Sequence, residues 1–193
     1  IQIALESRTL KLTKLILMSC EISDDSMGHL SPVLPFMSVV DLSFNDKISS
    51  HGWRAFSYDI AVAYGGKSLE MNCVRLRDCK LGNESMGHLS SILPLISEVN
   101  LSSNWQVPLE SWSNLSRCIA VAHGNGSLRL TKLDMSMCCI SDETIEDFSS
   151  VFPLLSEIDV NCRLLTRTGF EKVISSIRGA YEREALKLTR FCP

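Results

Sequence analysis

Leu12-Thr13-Lys14-Leu15-Ile16-Leu17-Met18-Ser19-Cys20 carries leucine at its first, fourth and sixth places and cysteine at its ninth. Met37-Ser38-Val39-Val40-Asp41-Leu42-Ser43-Phe44-Asn45 repeats that form with asparagine in the last place. The form returns at Met71-Val74-Leu76-Cys79, at Ile96-Val99-Leu101-Asn104 and at Leu130-Leu133-Met135-Cys138. Leu155-Ile158-Val160 is a sixth copy, with Arg163 where Asn is expected, and Leu186-Lys187-Leu188 reads as an eroded seventh. The last places are Cys20, Asn45, Cys79, Asn104 and Cys138, so a short step alternates with a long one and Cys alternates with Asn. Apolar side chains two apart share one face of an extended chain, so each copy predicts a short strand. The Asn falls where the chain turns away, and its amide can satisfy backbone groups that the turn strands. Cys is small and readily buried, with a weak donor of its own.

The shift that carries Cys20 onto Cys79 superposes the chain on itself. Ser26-Met27-Gly28-His29-Leu30-Ser31 recurs as Ser85-Met86-Gly87-His88-Leu89-Ser90, and Thr144-Ile145-Glu146-Asp147-Phe148-Ser149 is a degenerate third copy. Pro35, Pro94 and Pro153 keep the same frame. Between strands the pattern changes to helical spacing. Ser23-Asp24-Asp25-Ser26 is an N-cap cluster, Met27, Leu30, Val33 and Leu34 form a stripe, and Pro35 is expected to end that helix. Trp53, Phe56 and Ile60 mark a second helix, which Gly65-Gly66 is expected to stop. A third runs from Thr168 to Ile177, and the connection after it reads about five residues shorter than its equivalents. One such unit cannot bury its apolar face alone, so neighbours must stack. Residues 1–10 align with 60–69, which places residue 1 inside a helix of a preceding repeat and predicts that the 193 residues are one domain cut from a longer chain.

Composition narrows function by exclusion. The net charge is −3, whereas nucleic-acid binders carry a basic excess to neutralise phosphates. No apolar run reaches the roughly 18 residues a membrane span needs, and no signal-peptide pattern opens the sequence. Eight cysteines fit neither a disulfide framework nor a metal-ligand spacing, so free thiols, no metal and no cofactor are expected. Cys20, Cys79 and Cys138 share one repeat position and are expected to be buried. None of the common nucleophile, zinc or phosphate-loop motifs is present, and an enzyme is not expected.

The alternation of L-x-x-L-x-L-x-x-C with L-x-x-L-x-L-x-x-N resembles ribonuclease-inhibitor-like leucine-rich repeats, including the C-terminal sensor region of NOD-like receptors. The resemblance covers roughly residues 10 to 190. It implies an α/β solenoid, a curved arc with parallel strands on the concave face and helices on the convex face. It also implies a cytoplasmic recognition or autoinhibitory domain of innate immunity, binding a protein or peptide ligand or other domains of its own chain. A free-standing intracellular regulator resembling ribonuclease inhibitor is the alternative, and a secreted recognition protein is a third. The N-x-S sequons at Asn83, Asn100, Asn114 and Asn125 would matter only in the last case.

Residues between and just after the core leucines point to the concave face. One row reads Ile16, Asp41, Arg75, Asn100, Asp134, Asp159, Lys187, and the next reads Met18, Ser43, Arg77, Ser102, Ser136, Asn161, Thr189. The expected contact surface centres on Arg75 and Arg77, with Asp41, Glu98, Asn100 and Asp134 around them. Paired guanidiniums can hold carboxylates bidentately. Trp53 and Trp112 match each other across the same shift and are expected in the core. Trp105 has Asp46 as its frame-mate, so the repeat does not require it, and it joins the contact candidates.

Overall fold

The computed structural model describes residues 12–161, 164–182 and 187–192. Each copy of the motif contributes a strand of three residues: β1 (Lys14–Ile16), β2 (Val39–Asp41), β3 (Cys73–Arg75), β4 (Glu98–Asn100), β5 (Lys132–Asp134), β6 (Glu157–Asp159) and β7 (Arg190–Cys192). The strands form one seven-stranded sheet in chain order. Every pairing is parallel and unshifted, so Leu15, Val40, Val74, Val99, Leu133, Ile158 and Phe191 lie in line. Val40, Val74 and Ile158 are wholly buried, as the two-residue period requires.

The return segments explain the alternating steps. Short repeats carry seven-residue helices, α1 (Asp24–Leu30), α3 (Asn83–Leu89) and α5 (Asp142–Phe148). Long repeats carry 16-residue helices, α2 (Ser50–Gly65), α4 (Leu109–Gly124) and α6 (Arg167–Glu182). Proline does not end the short helices. They close at Ser31, Ser90 and Ser149, and Pro35, Pro94 and Pro153 sit at the start of a 3-10 turn instead, where a missing N–H costs nothing. After the long helices the left-handed residue is Lys67 (φ 56°) in one unit and Gly126 (φ 75°) in the next, not Gly65 or Gly66. Trp53 and Trp112 are fully buried, and Trp53 meets Phe56 edge-on at 6.1 Å.

Ladder Asn residues tie repeats together. Asn45 Oδ1 accepts from the amides of Cys20 (3.1 Å) and Ile22 (3.0 Å), and its Nδ2 donates to the carbonyls of Leu17 and Leu42, both at 2.8 Å. Asn104 makes the same four bonds one unit later, to Cys79, Leu81, Leu76 and Leu101. Where Arg163 replaces Asn, the amide equivalent to Ile22 and Leu81, that of Ile140, donates to the Cys138 carbonyl at 2.9 Å. The residue before each ladder position is left-handed in five repeats: Ser19, Phe44, Asp78, Ser103 and Met137, at φ 49° to 63°. That turn throws the ladder side chain back under the preceding repeat.

The seventh strand is Arg190–Cys192, not Leu186-Lys187-Leu188. Arg190 pairs with Glu157 at a separation of 33, where the equivalent Glu98 and Lys132 stand 34 apart, so the last connection is shorter by a single residue and not by five. Lys187 N–H donates to Pro153 O and Thr189 N–H to Ser156 O, the bonds that Glu70 and Asn72 make to Pro35 and Ser38. Lys187 therefore belongs to the approach to the strand, and Cys192 takes its place in the concave row. Leu188 fills the first leucine place and packs against the core, while Leu186, Arg163 and Cys162 lie outside the described residues. Cys20 is exposed, unlike Cys79 and Cys138. The latter two thiols donate to Leu42 O and Leu101 O, which directly follow β2 and β4, both at 3.3 Å, and no strand precedes β1 among the described residues to cover Cys20.

Candidate concave recognition surface

The unshifted register lays out one row of side chains across the concave face: Ile16, Asp41, Arg75, Asn100, Asp134, Asp159 and Cys192. Four of these share a local task. Asp41 Oδ1 accepts from Ser43 N (3.0 Å), Asn100 Oδ1 from Ser102 N (2.9 Å), Asp134 Oδ1 from Ser136 N (2.9 Å) and Asp159 Oδ1 from Asn161 N (3.0 Å). Each is an Asx turn that satisfies the first amide to leave the strand. Arg75 stands in the row without that task, and the amide of Arg77 takes Ser43 Oγ at 3.3 Å instead.

The arginines differ in setting. Arg75 Nη1 lies 3.8 Å from Asp41 Oδ2, with the arginine side chain 46% exposed and the aspartate 12%. An ion pair so long and half-exposed is worth less than about 1 kcal/mol. Asp41 is a buried turn residue as much as a surface charge. Arg77 places its guanidinium 5.6 Å from the Phe44 ring centroid. At that distance the ring attracts the cation without neutralising it. Phe44 owes its exposed place to the left-handed turn before Asn45, a contact the strand pattern alone did not reveal.

Toward β7 the charges pair off. Glu98 meets Lys132 at 3.0 Å and Glu157 meets Arg190 at 2.6 Å. Hydrogen bonding and attraction by Glu98 raise the Lys132 ammonium above its usual range. Asn100 Nδ2 donates to Asp134 Oδ2 at 2.7 Å. Arg75, Glu98, Asn100, Lys132 and Asp134 thus line one shallow depression of about 280 Å3, with Cys73, Glu157, Asp159 and Arg190 completing it. Trp105 is outside that lining, 59% exposed on the rim after Asn104. Among the described residues no group of three His, Cys, Asp or Glu could hold a metal ion, and no helix is long and apolar enough to cross a membrane. No disulfide joins any of the seven described cysteines. Burial pushes the Cys79 thiol up to about 12 and raises Cys73 and Cys118 as well.

A second set of contacts escaped the strand reading. Asp24 of α1 accepts from the backbone and hydroxyl of Ser49 ahead of α2, and Asp142 of α5 does the same to Thr166 ahead of α6. These carboxylates cap the neighbouring repeat's helix, not only their own, and Ser23 makes no side-chain cap. The signal was present as buried Gly52 and Gly169, where an added Cβ would run into those carboxylates, at 2.6 Å from Asp24 in the first case. In the middle unit Pro108 replaces the hydroxyl residue, and Asn83 takes Ser111 Oγ at 2.7 Å.

A family model described as "Leucine Rich repeat" matches residues 10–30 and 129–149. No curated protein sequence gives a significant match. Among solved structures, the tropomodulin C-terminal domain from Caenorhabditis elegans superposes with a TM-score of 0.58 at 13% identity, covering 84% of this chain and 96% of that one. A TLR13–ssRNA13 complex aligns with a TM-score of 0.45 at 11% identity, over 83% of this chain and 22% of that one. Seven parallel strands in one open sheet, helices returning outside them and a nine-residue L-x-x-L-x-L-x-x-[NC] frame make this chain a leucine-rich-repeat solenoid.

Proposed function

We propose that the chain is a non-enzymatic protein-recognition module that binds a peptide or protein edge over its concave face. Within that class we assign it as the ligand-sensing or autoinhibitory repeat domain of a receptor resembling the NOD-like receptors. The observation that carries recognition is Arg75. In a row where Asp41, Asn100, Asp134 and Asp159 close Asx turns it makes no such bond and leaves its charge half-exposed beside Arg77. The alternating Cys and Asn ladder supports the narrower assignment. Seven strands at the roughly 4.8 Å spacing of paired strands give a face about 29 Å wide, which suits a protein segment better than a small metabolite. The test is affinity capture of a partner followed by paired variants. Arg75→Glu with Arg77→Glu should weaken capture at least tenfold with folding intact. Capture that survives this change but is lost on Arg54→Glu or Glu146→Lys, both on convex helices, overturns the concave assignment.

A further inference from the structure

We infer that the concave face recognises a partner segment with charges in a set arrangement: an acidic side chain over Arg75 and Arg77, and a basic one four residues away over Asp134 and Asp159. The inference rests on the concave-face reading above and adds the chemistry of the occupant.

Most charges on this face cancel within it. Lys132 is taken by Glu98 and Arg190 by Glu157. Two groups are left over. At β3, Arg77 has no carboxylate within 4.0 Å among the described residues, and Arg75 has Asp41 only at 3.8 Å. At β5 and β6, Asp134 and Asp159 are direct partners in register, and neither has a cation within 4.0 Å among the described residues. Like charges placed directly opposite on neighbouring strands oppose pairing.

The turns do not demand this arrangement. Asn100 closes the same turn with a neutral amide, so the charges of Asp134 and Asp159 exceed what the backbone needs. Arg75 gives the turn up altogether. The face therefore carries a positive pole and a negative pole, the negative one opposing its own strand pairing, with neutral Asn100 between them. A partner of opposite polarity neutralises both.

Spacing defines that partner. From β3 to β5 and β6 is two to three strand steps, about 10–14 Å. An extended segment crossing the strands advances about 3.3 Å per residue, and residues an even number apart face the same side. Four residues give about 13 Å with both side chains facing the sheet. The occupant is an extended segment with Asp or Glu and Lys or Arg at positions i and i+4.

A phage-displayed library of random peptides about twelve residues long, selected on the whole chain, tests this. Enriched peptides should pair an acidic with a basic residue four apart. Their binding should fall at least tenfold on Arg75→Gln with Arg77→Gln, and equally on Asp134→Asn with Asp159→Asn, which keeps the turn acceptors; circular dichroism and melting verify the fold of each variant. Replacing the peptide's basic residue by Ala should weaken binding to the wild type but add nothing once Asp134 and Asp159 are neutral. Peptides that need the arginines but no basic residue overturn the bipolar inference and leave the concave reading standing. Peptides indifferent to all four changes overturn both. Failure to enrich any peptide overturns the inference as well.

Discussion

Replacing Asn104 by Ala should be among the costliest single changes in the molecule. Its side chain closes four hydrogen bonds of 2.8 to 3.1 Å: two from the amides of Cys79 and Leu81, two to the carbonyls of Leu76 and Leu101. Asn104, Cys79 and Leu81 are each at most 1% exposed. Stranding the Cys79 and Leu81 amides and the Leu76 carbonyl at about 1 kcal/mol each, with Leu101 O still taking the Cys138 thiol, sets an upper value of about 3 kcal/mol. Water entering the emptied space recovers part of that and sets a lower value of about 2 kcal/mol. Asn45→Ala removes the same four bonds, but Cys20 is exposed and its turn can reach solvent, so about 1–2 kcal/mol is expected. Equilibrium urea unfolding followed by circular dichroism measures both, provided the slope of the transition stays constant. A loss under about 1 kcal/mol for Asn104→Ala, or a larger loss for Asn45→Ala, refutes the idea that the ladder amide carries the turn. Asn104→Asp keeps the acceptor but turns a second oxygen toward two carbonyls, and should match or exceed the alanine change at neutral pH.

Acid should loosen the helix junctions. At Asp24 burial pushes the carboxyl up, but hydrogen bonds from Ser49 and Gly52 outweigh it and the net shift is downward; Asp142 is lowered by Thr166 and Gly169. Depressed carboxyl pKa values stabilise fully above the unfolded value of about 4, and that stabilisation is lost as pH falls through the lower folded values. Asp24→Asn with Asp142→Asn should therefore lower stability at neutral pH and flatten its fall in acid in pH-dependent melting, and an unchanged acid limb counts against the caps. In thiol titration of the folded chain, exposed Cys20 and Cys139 should react first and Cys79 last, with eight thiols found after unfolding without reductant; six or fewer contradicts the free-thiol assignment. Gly52→Ala should destabilise, because its Cβ would stand 2.6 Å from Asp24 Oδ1 and 2.7 Å from Ile48 Cγ2, whereas Gly87→Ala in α3 meets nothing within 4 Å and should gain about 0.5–1 kcal/mol; equal melting shifts for the two would show that the close approach is absent.

The strand frame was legible because period-two leucines and a fixed turn residue recur together, and six of the seven strands fall where that frame places them. The seventh was misplaced because Leu186-Lys187-Leu188 imitates the motif locally, while the true strand offers only Phe191 at its centre. Backbone bonds from Lys187 and Thr189 set that register, and they leave no trace in residue type. The short helices were overextended because apolar spacing continues through Val33 and Leu34 after the α-helical bonding has stopped. The contact row was readable from alternation, but the approach of Arg77 to the Phe44 ring depends on a left-handed turn that a phenylalanine does not advertise. The helix caps were readable in retrospect as a paired change, Asp24 with Gly52 and Asp142 with Gly169 against Asn83 with Ser111.

The two kinds of junction in the stack differ in their polar contacts. A Cys repeat joins the Asn repeat after it through three buried amide bonds on the sheet side and an Asp or Asn clasp on the helix side. An Asn repeat joins the next Cys repeat, apart from its strand pairing and helix packing, through a ladder thiol and side-chain bonds such as Ser116 with the Asp147 carbonyl, Asn100 with Asp134, Lys80 with Asp46 and Ser50 with Glu84. The polar ladder thus repeats in couplets, because the turn of each Cys repeat is satisfied by the asparagine of the repeat after it. A truncation at the end of an Asn repeat leaves whole couplets behind. One at the end of a Cys repeat strips the last turn kept of the asparagine that satisfies it. The natural quantum of deletion, duplication or transplantation in this chain is therefore the couplet, a Cys repeat together with the Asn repeat that closes it.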